Sequence, residues 1–463
     1  MAKIKTKWVC QSCGYESSGH LGKCPDCGDW NSFIEEVVNK PTATSSAISD
    51  RLSVSSSCLL KDVKVEDSIR FSTNIKELDR VLGGGLVRGS VVLLGGDPGI
   101  GKSTIVMQAC GNFSDKKLKV LYVSAEESAG QLRLRSERLN ISSENIYVYP
   151  ETCLELIKDK IVELSPDIVV VDSIQAVYCS SISSSPGSVS QVRESCLHLT
   201  NLAKSLNITV IIIGHVTKEG VIAGPKVLEH MVDVVLHFEG EKYRFHRILR
   251  TIKNRFGGTD EVGLFKMEEV GLVEVNNPGE LFLANKNSLA VPGNVVTATC
   301  EGTRPLFVEV QSLVGYSSSS FPRRVATGIE YNRLLQVVAV LEKRIGFNLG
   351  KQDVYVNVLG GLTIQEPAAD LGTALSIVTC IRNVVVEPST VVMGEIGLSG
   401  EIRGISRIDT RVKEAVNLGF KKVIVPEVNL PLKNSFDAVN IIGVTRLSDA
   451  ISKSVTSAEI IQS

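Results

Sequence analysis

The segment Gly96-Asp97-Pro98-Gly99-Ile100-Gly101-Lys102-Ser103 has the G-x-x-x-x-G-K-S spacing that wraps a string of phosphates. Its glycines let successive backbone N–H groups turn inward, and a helix starting there adds the partial positive charge of its N-terminus. Lys102 is then placed to reach the β- and γ-phosphates, and the Ser103 hydroxyl to bind Mg²⁺. With Thr104, residues 96–104 are expected to hold ATP and its magnesium ion. Hydrolysis needs two more groups: a carboxylate near Mg²⁺ and a base for the attacking water. Asp172 ends the apolar run Ile168-Val-Val-Val and supplies the first. Glu126, or its neighbour Glu127, follows the run Val120–Val123 and is the candidate base. His215, just past Ile208–Ile213, is a weaker candidate for sensing the γ-phosphate.

Two further groups carry chemistry. Lys253-Asn254-Arg255-Phe256-Gly257 sets two cations around a polar residue after a strand. Such cations are either a solvated edge or a finger reaching a neighbouring subunit's phosphate. Cys10-x-x-Cys13 and Cys24-x-x-Cys27 form a four-cysteine set, with Gly14 and Gly28 after each pair. Four thiolates suit a closed tetrahedral Zn²⁺ site of structural type, with an iron–sulfur site or a redox pair as the alternatives. Lys3, Lys5, Lys7 and Lys23 lie beside it, either touching DNA or simply solvated.

The elements that must position these residues follow from the apolar pattern. Short β-branched runs at Val91–Leu94, Val120–Val123, Ile146–Tyr149, Ile168–Val171 and Ile208–Ile213 alternate with helical stretches, which predicts a largely parallel sheet. Runs at Val234–Phe238 and Arg247–Ile252 read as an antiparallel pair at its edge. A turn cluster at Asn276–Gly279 precedes a second α/β block. The expected organisation is a Cys₄ finger at 1–36, a Ser/Thr-rich flexible linker at 37–60, an ATPase core at 61–278 and a C-terminal domain at 279–463.

The chain's 463 residues are too many for one core, and 43% hydrophobic residues suffice for several. A net charge of −1 gives no global attraction to polyanions, so any DNA contact must be local. No apolar run approaches the ~18 residues of a membrane span, and no secretory signal follows the short basic start. Seven of the eleven cysteines are scattered singly, which suits a reducing cytoplasm.

On the finger, the G-D-P-G-I-G-K-S loop, K-N-R-F-G at 253–257 and the C-terminal block, the sequence resembles the RadA (Sms) family of bacterial DNA repair proteins over essentially its whole length. The resemblance implies a RecA-like core forming ring-shaped hexamers, which loads on single-stranded and branched DNA and drives branch migration, beside recombinase and replicative helicase partners. It assigns Lys102 and Ser103 to nucleotide and Mg²⁺, Glu126 to water activation, Asp172 to the metal, and Lys253 and Arg255 to action across a subunit interface. It places DNA-gripping loops near Tyr178–Gln191 and Lys218–Lys226. The C-terminal block resembles the proteolytic domain of Lon proteases, but Ala368 stands at the nucleophile position and Asp409 at that of the lysine base. Peptidase activity is therefore expected to be absent. The block becomes a scaffold and DNA platform, with Arg323, Arg324, Lys343, Arg344, Arg403 and Arg407 as contacts. The alternatives are a KaiC-like regulatory ATPase and an ATP-dependent Lon-type protease.

Overall fold

Val91–Gly96 (β1), Val120–Ser124 (β2), Ile146–Tyr149 (β3), Ile168–Asp172 (β4), Thr209–Ile213 (β5) and Val234–Glu239 (β6) run parallel in one sheet. β1, β2 and β5 are buried throughout, as strands covered on both faces must be, whereas the outermost strand β3 is half-exposed. Helices Lys102–Asp115 (α1), Ala129–Arg138 (α2), Leu154–Leu164 (α3), Val189–Leu206 (α4) and Pro225–Met231 (α5) connect them. α3 buries Leu154, Ile157 and Ile161, and α4 buries Val192, Cys196, Leu199 and Ala203, the spacings of one helical face. α2 starts at a capping box in which Ser128 and Gln131 satisfy each other's backbone N–H groups.

The computed structural model describes residues 6–10, 14–26, 28–37, 70–141, 144–215, 225–240, 246–275, 283, 291–319, 321–387, 389–436 and 438–456. The chain divides into two units, Met1–Val275 and Asn276–Ser463. The expected linker, apart from Val37, and the expected boundary at 278/279 lie outside the described residues.

Beyond β6 the sheet continues through His246–Asn254 (β7), Val262–Glu268 (β8) and Gly271–Glu274 (β9), all antiparallel, in the order β9-β8-β7-β6-β1-β5-β4-β2-β3. The β6–β7 pair therefore lies inside the sheet, not at its edge. The apolar half of β8 is covered by the helix Lys76–Leu82, whose Glu77 carboxylate accepts the Leu264 N–H at 2.9 Å. A Cβ at Gly263 would meet the Glu77 carbonyl oxygen at 2.7 Å, so glycine permits this approach.

In the second unit a hairpin, Asn294–Glu301 (β10) and Arg304–Tyr316 (β11), joins Arg324–Thr327 (β12), Gln352–Val358 (β13), Thr390–Val392 (β14), Lys422–Pro426 (β15) and Asn440–Val444 (β16). Their order is β12-β13-β11-β10-β14-β15-β16. Its helices include Tyr331–Val340 (α6), Asp370–Arg382 (α7) and Ile408–Asn417 (α8). Phe307 of β11 stacks on Phe420 at 5.5 Å between centroids. Arg411 of α8 is fully buried and hydrogen-bonds Glu366, the Ala298 carbonyl at 2.8 Å and the Ser406 carbonyl at 3.0 Å.

Removing one partner of such a pair strands the other's charge, so Arg411→Ala is expected to destabilise the second unit by about 3–5 kcal/mol. Denaturant unfolding compared with the parent chain measures this.

Candidate active site

Parallel pairing puts Leu94, Ile213, Asp172 and Ser124 in one row across β1, β5, β4 and β2. The segments leaving these strands consequently emerge along one sheet edge, where open α/β sheets bind ligands. The phosphate loop follows β1, Glu126 follows β2, Asp172 and Ser173 close β4, and His215 follows β5.

The loop is built around glycines that cannot be replaced without displacement. Gly96 and Gly101 have φ of 150° and 118°. A Cβ on Gly96 would meet the Phe238 carbonyl oxygen at 2.6 Å, and one on Gly101 the Met267 and Leu272 side chains at 2.9 and 3.0 Å. Strands β8 and β9 thus press on the loop from the antiparallel side. Arg247 of β7, itself buried, donates to the Ile100 carbonyl at 3.2 Å. A Cβ on Gly99 would meet nothing within 4 Å, which leaves that face of the loop open.

Lys102 is buried at the start of α1, and its ammonium donates to the carbonyls of Gly96 at 2.7 Å and Asp97 at 2.9 Å and to His215 Nδ1 at 3.3 Å. Burial brings its pKa down to about 8, against the opposing pull of the Asp172, Asp97 and Glu126 charges. Asp172 accepts a 2.6 Å hydrogen bond from the Tyr122 hydroxyl on the adjacent strand. Glu126 Oε1 accepts from the Ser173 hydroxyl and lies 3.4 Å from His215 Nε2. Glu127 is turned elsewhere, into an ion pair with Arg135. The structure therefore separates two acids that are equivalent in the sequence: Glu126 faces Lys102 through His215, and Glu127 anchors α2. Sequence reasoning misses Arg247, Tyr122 and Ser173. Each acts through its fold neighbours, and none sits in a recognisable spacing.

Lys253 and Arg255 are not brought to this site. Because β7 is antiparallel, its end pairs with the start of β6, and Val234 lies opposite both Asn254 and Val92. Gly96 pairs with Phe238, four residues further along, so the two motifs lie about 13 Å apart along the strands, at opposite edges. Lys253 Nζ donates to the carbonyls of Glu229 at 2.7 Å and Val232 at 2.8 Å, at the end of α5. Arg255 is half-exposed and lies 3.7 Å from Asp233. The intervening residues shape the turn. Asn254 accepts the Phe256 N–H at 2.9 Å, Arg70 donates to the Phe256 carbonyl at 2.8 Å, and a Cβ on Gly257 would meet the Gly83 Cα at 3.2 Å.

In the finger, Cys10 and Cys24 are buried. The Cys10 carbonyl accepts the Gly14 N–H at 2.8 Å and the Cys24 carbonyl the Gly28 N–H at 3.0 Å, with φ of 77° and 80° at the two glycines. Two like turns fit a four-thiolate metal site. Cys13 and Cys27 lie outside the described residues.

The expected first DNA loop, Tyr178–Gln191, is held at its root. Buried Gln191 bonds Cys179 N at 2.7 Å, the Ile182 carbonyl at 3.1 Å and the Ser184 carbonyl at 2.9 Å. Of the second, Lys218–Lys226, only Pro225 and Lys226 at the start of α5 are described. In the C-terminal unit Ala368 is buried, and Asp409 accepts the N–H groups of Lys433 at 2.8 Å and Asn434 at 3.2 Å. Neither residue offers a nucleophile or a lysine base. Among the expected platform cations, Arg324, Arg344 and Arg407 bond carbonyls of their own chain and Arg403 pairs with Glu401 and Glu395. All of them but the partly buried Arg324 are exposed, Arg323 and Lys343 included.

A phosphate loop and two acids gathered on one edge of a RecA-like sheet define an ATP-hydrolysing enzyme. Residues 55–221 match the family model described as an AAA domain, residues 8–35 a rubredoxin metal binding domain, and residues 329–429 subunit ChlI of Mg-chelatase. Curated relatives named DNA repair protein RadA are 50% identical in Halalkalibacterium halodurans, over 97% of this chain and 99% of that one, and 49% in Bacillus subtilis, over 98% and 100%. The relative of the same name in Synechocystis is 45% identical over 99% and 96%. The chain belongs to the RadA family. Among solved structures, one ATPase domain is similar at 16% identity and a TM-score of 0.40, covering 47% of this chain and 95% of that one, a likeness too distant to bear on function. Among the described residues, no helix is long and apolar enough to cross a membrane.

Phosphate prefers the charged lysine, and burial without a phosphate partner brings the Lys102 pKa down to about 8. Affinity for ATP is therefore expected to fall as pH rises above that value. Titration with a fluorescent ATP analogue, from about one unit below that pKa to about one unit above it, checks this. Cys24→Ala is expected to lose bound zinc, as metal analysis of the purified chain would reveal, while the ATPase core keeps nucleotide binding.

Proposed function

We propose that this protein is a DNA-stimulated ATPase of recombinational repair, which binds single-stranded DNA and drives branch migration and unwinding of recombination intermediates. Lys102 neutralises the γ-phosphate, Ser103 and Asp172 would hold Mg²⁺, which would draw charge off the phosphates, and Glu126 takes the proton as water attacks phosphorus and the bond to ADP breaks. The names of the relatives support action on DNA. The observation that carries the motor reading is the position of Lys253 and Arg255. They stand at the sheet edge opposite the chain's own phosphate loop, on a turn fixed by Asn254, Arg70 and Gly257. Cations so presented cannot serve their own nucleotide, and a ring of copies, hexameric in this reading, gives them a neighbour's γ-phosphate. Zn²⁺ on Cys10, Cys13, Cys24 and Cys27 completes the finger. The DNA path in this reading runs past the loops near Tyr178–Gln191 and Lys218–Lys226, and Arg323, Arg324, Lys343, Arg344, Arg403 and Arg407 act as a group on a phosphate backbone. Recombinase and replicative helicase partners, and a cytoplasmic location, belong to the same reading.

Lys102→Ala is expected to abolish hydrolysis. Lys253→Ala and Arg255→Ala should keep ATP affinity within about threefold yet lower DNA-stimulated hydrolysis and strand unwinding by about 10³-fold, the scale of an arginine finger. ATPase and unwinding assays on forked and three-stranded DNA decide. Full unwinding by Lys253→Ala would remove the interface role. Hydrolysis indifferent to single-stranded DNA would favour the regulatory ATPase instead.

A further inference from the structure

His215 bridges the two groups on which hydrolysis turns. Its Nδ1 lies 3.3 Å from Lys102 Nζ and its Nε2 3.4 Å from Glu126 Oε1. The backbone that carries the ring is tied to the turn after β4, since Gln175 Nε2 donates to the His215 carbonyl at 3.3 Å. An ammonium has three protons and no lone pair, and Lys102 spends two of them on the carbonyls of Gly96 and Asp97. The third goes to His215, so Nδ1 is the unprotonated nitrogen and the imidazole proton sits on Nε2. That proton points at Glu126, whose same oxygen also accepts from the Ser173 hydroxyl. A carboxylate so held from two sides has one orientation.

With these three contacts, Lys102 Nζ has no hydrogen-bonding capacity to spare. Moving Nζ onto a phosphate must break at least one of its three contacts, and the bond to His215 is the longest of them. We infer that His215 is a positioning residue of the hydrolytic site: it aims Glu126 through Nε2–H, and through Nδ1 it ties the base to whether Lys102 is engaged by phosphate. The inference rests on the ATPase reading above and goes beyond it, because it makes readiness of the base depend on occupancy of the lysine.

The two amide side chains separate the two halves of the ring. Glutamine places its N–H near the Nε2 position and keeps the donor to Glu126; asparagine reaches only the Nδ1 position, facing Lys102. His215→Ala is expected to lower kcat about 10- to 100-fold, the scale of a misplaced catalytic group, with KM and nucleotide affinity within about threefold. His215→Gln should recover most of the loss, and His215→Asn should remain as slow as alanine. Independently of activity, ¹⁵N spectra of histidine-labelled chain should show His215, assigned by its absence in His215→Gln, as the Nε2–H tautomer. Its Nδ1 resonance should shift when a non-hydrolysable ATP analogue binds, and should already be shifted in nucleotide-free Lys102→Ala. Wild-type kcat in His215→Ala, equal rates for the glutamine and asparagine variants, or an Nδ1–H tautomer would overturn the inference. Should the alanine variant not fold, the amide pair and the tautomer still decide. Wild-type hydrolysis by Lys102→Ala or Glu126→Gln would instead sink the ATPase reading itself.

Discussion

The register of the parallel sheet determines what this protein can do. Leu94, Ile213, Asp172 and Ser124 stand side by side because β1, β5, β4 and β2 pair in parallel with no slip between them. A shift of one residue in any pair would turn alternate side chains to the opposite face. Asp172 would then lose Tyr122, and Glu126 would lose Ser173. The buried residues of these strands fall into two cores, one on each face of the sheet, and the strands pair in parallel without a slip. Catalytic geometry here is a by-product of core packing, and the loops beyond the strands inherit it.

How much of this the sequence declares depends on whether the chemistry is local. The phosphate loop is legible because its requirements are met within one short segment: glycines at the strained positions, a lysine and a hydroxyl at the helix start. The Cys₄ pattern is legible for the same reason. The parallel strands follow from short apolar runs broken by helical ones. Strands β8 and β9 escape a reading of the sequence because only part of β8 is apolar. What buries that part is a helix far earlier in the chain, through Glu77 and Gly263. The hairpin β10–β11 escapes for a related reason: Thr297, Thr299 and Glu309 are buried in it, and buried polar residues do not read as a strand core. Glu126 and Glu127 cannot be told apart by any spacing. Arg135 distinguishes them, by capturing Glu127 in an ion pair.

The motif at 253–257 shows a division of labour within one turn. Asn254, Phe256 and Gly257 serve the chain's own fold, each through a contact with residues 70–83 or with one another. Lys253 and Arg255 alternate with them, held by carbonyls at the end of α5 and by a distant carboxylate. An exposed arginine at 3.7 Å from Asp233 contributes little to stability. Its place on a rigid turn, with its guanidinium turned toward solvent, is what the proposed role across a subunit interface requires.

The C-terminal unit makes the complementary point, that one buried charge can organise the elements around it. Ala368 is buried, and two residues before it Glu366 takes hydrogen bonds from Arg411, from Cys300 N at 2.8 Å and from Thr299 at 3.4 Å. A buried arginine is costly unless its N–H groups find acceptors, and Arg411 draws on Glu366 and two carbonyls to meet that condition. Such a network locks α8 against β10 and the segment before α7. Beside this network, Ala368 and Asp409 offer no nucleophile and no uncharged base. An arginine fixed from three sides therefore makes this part of the unit rigid, because none of its three acceptors can move without stranding a buried charge.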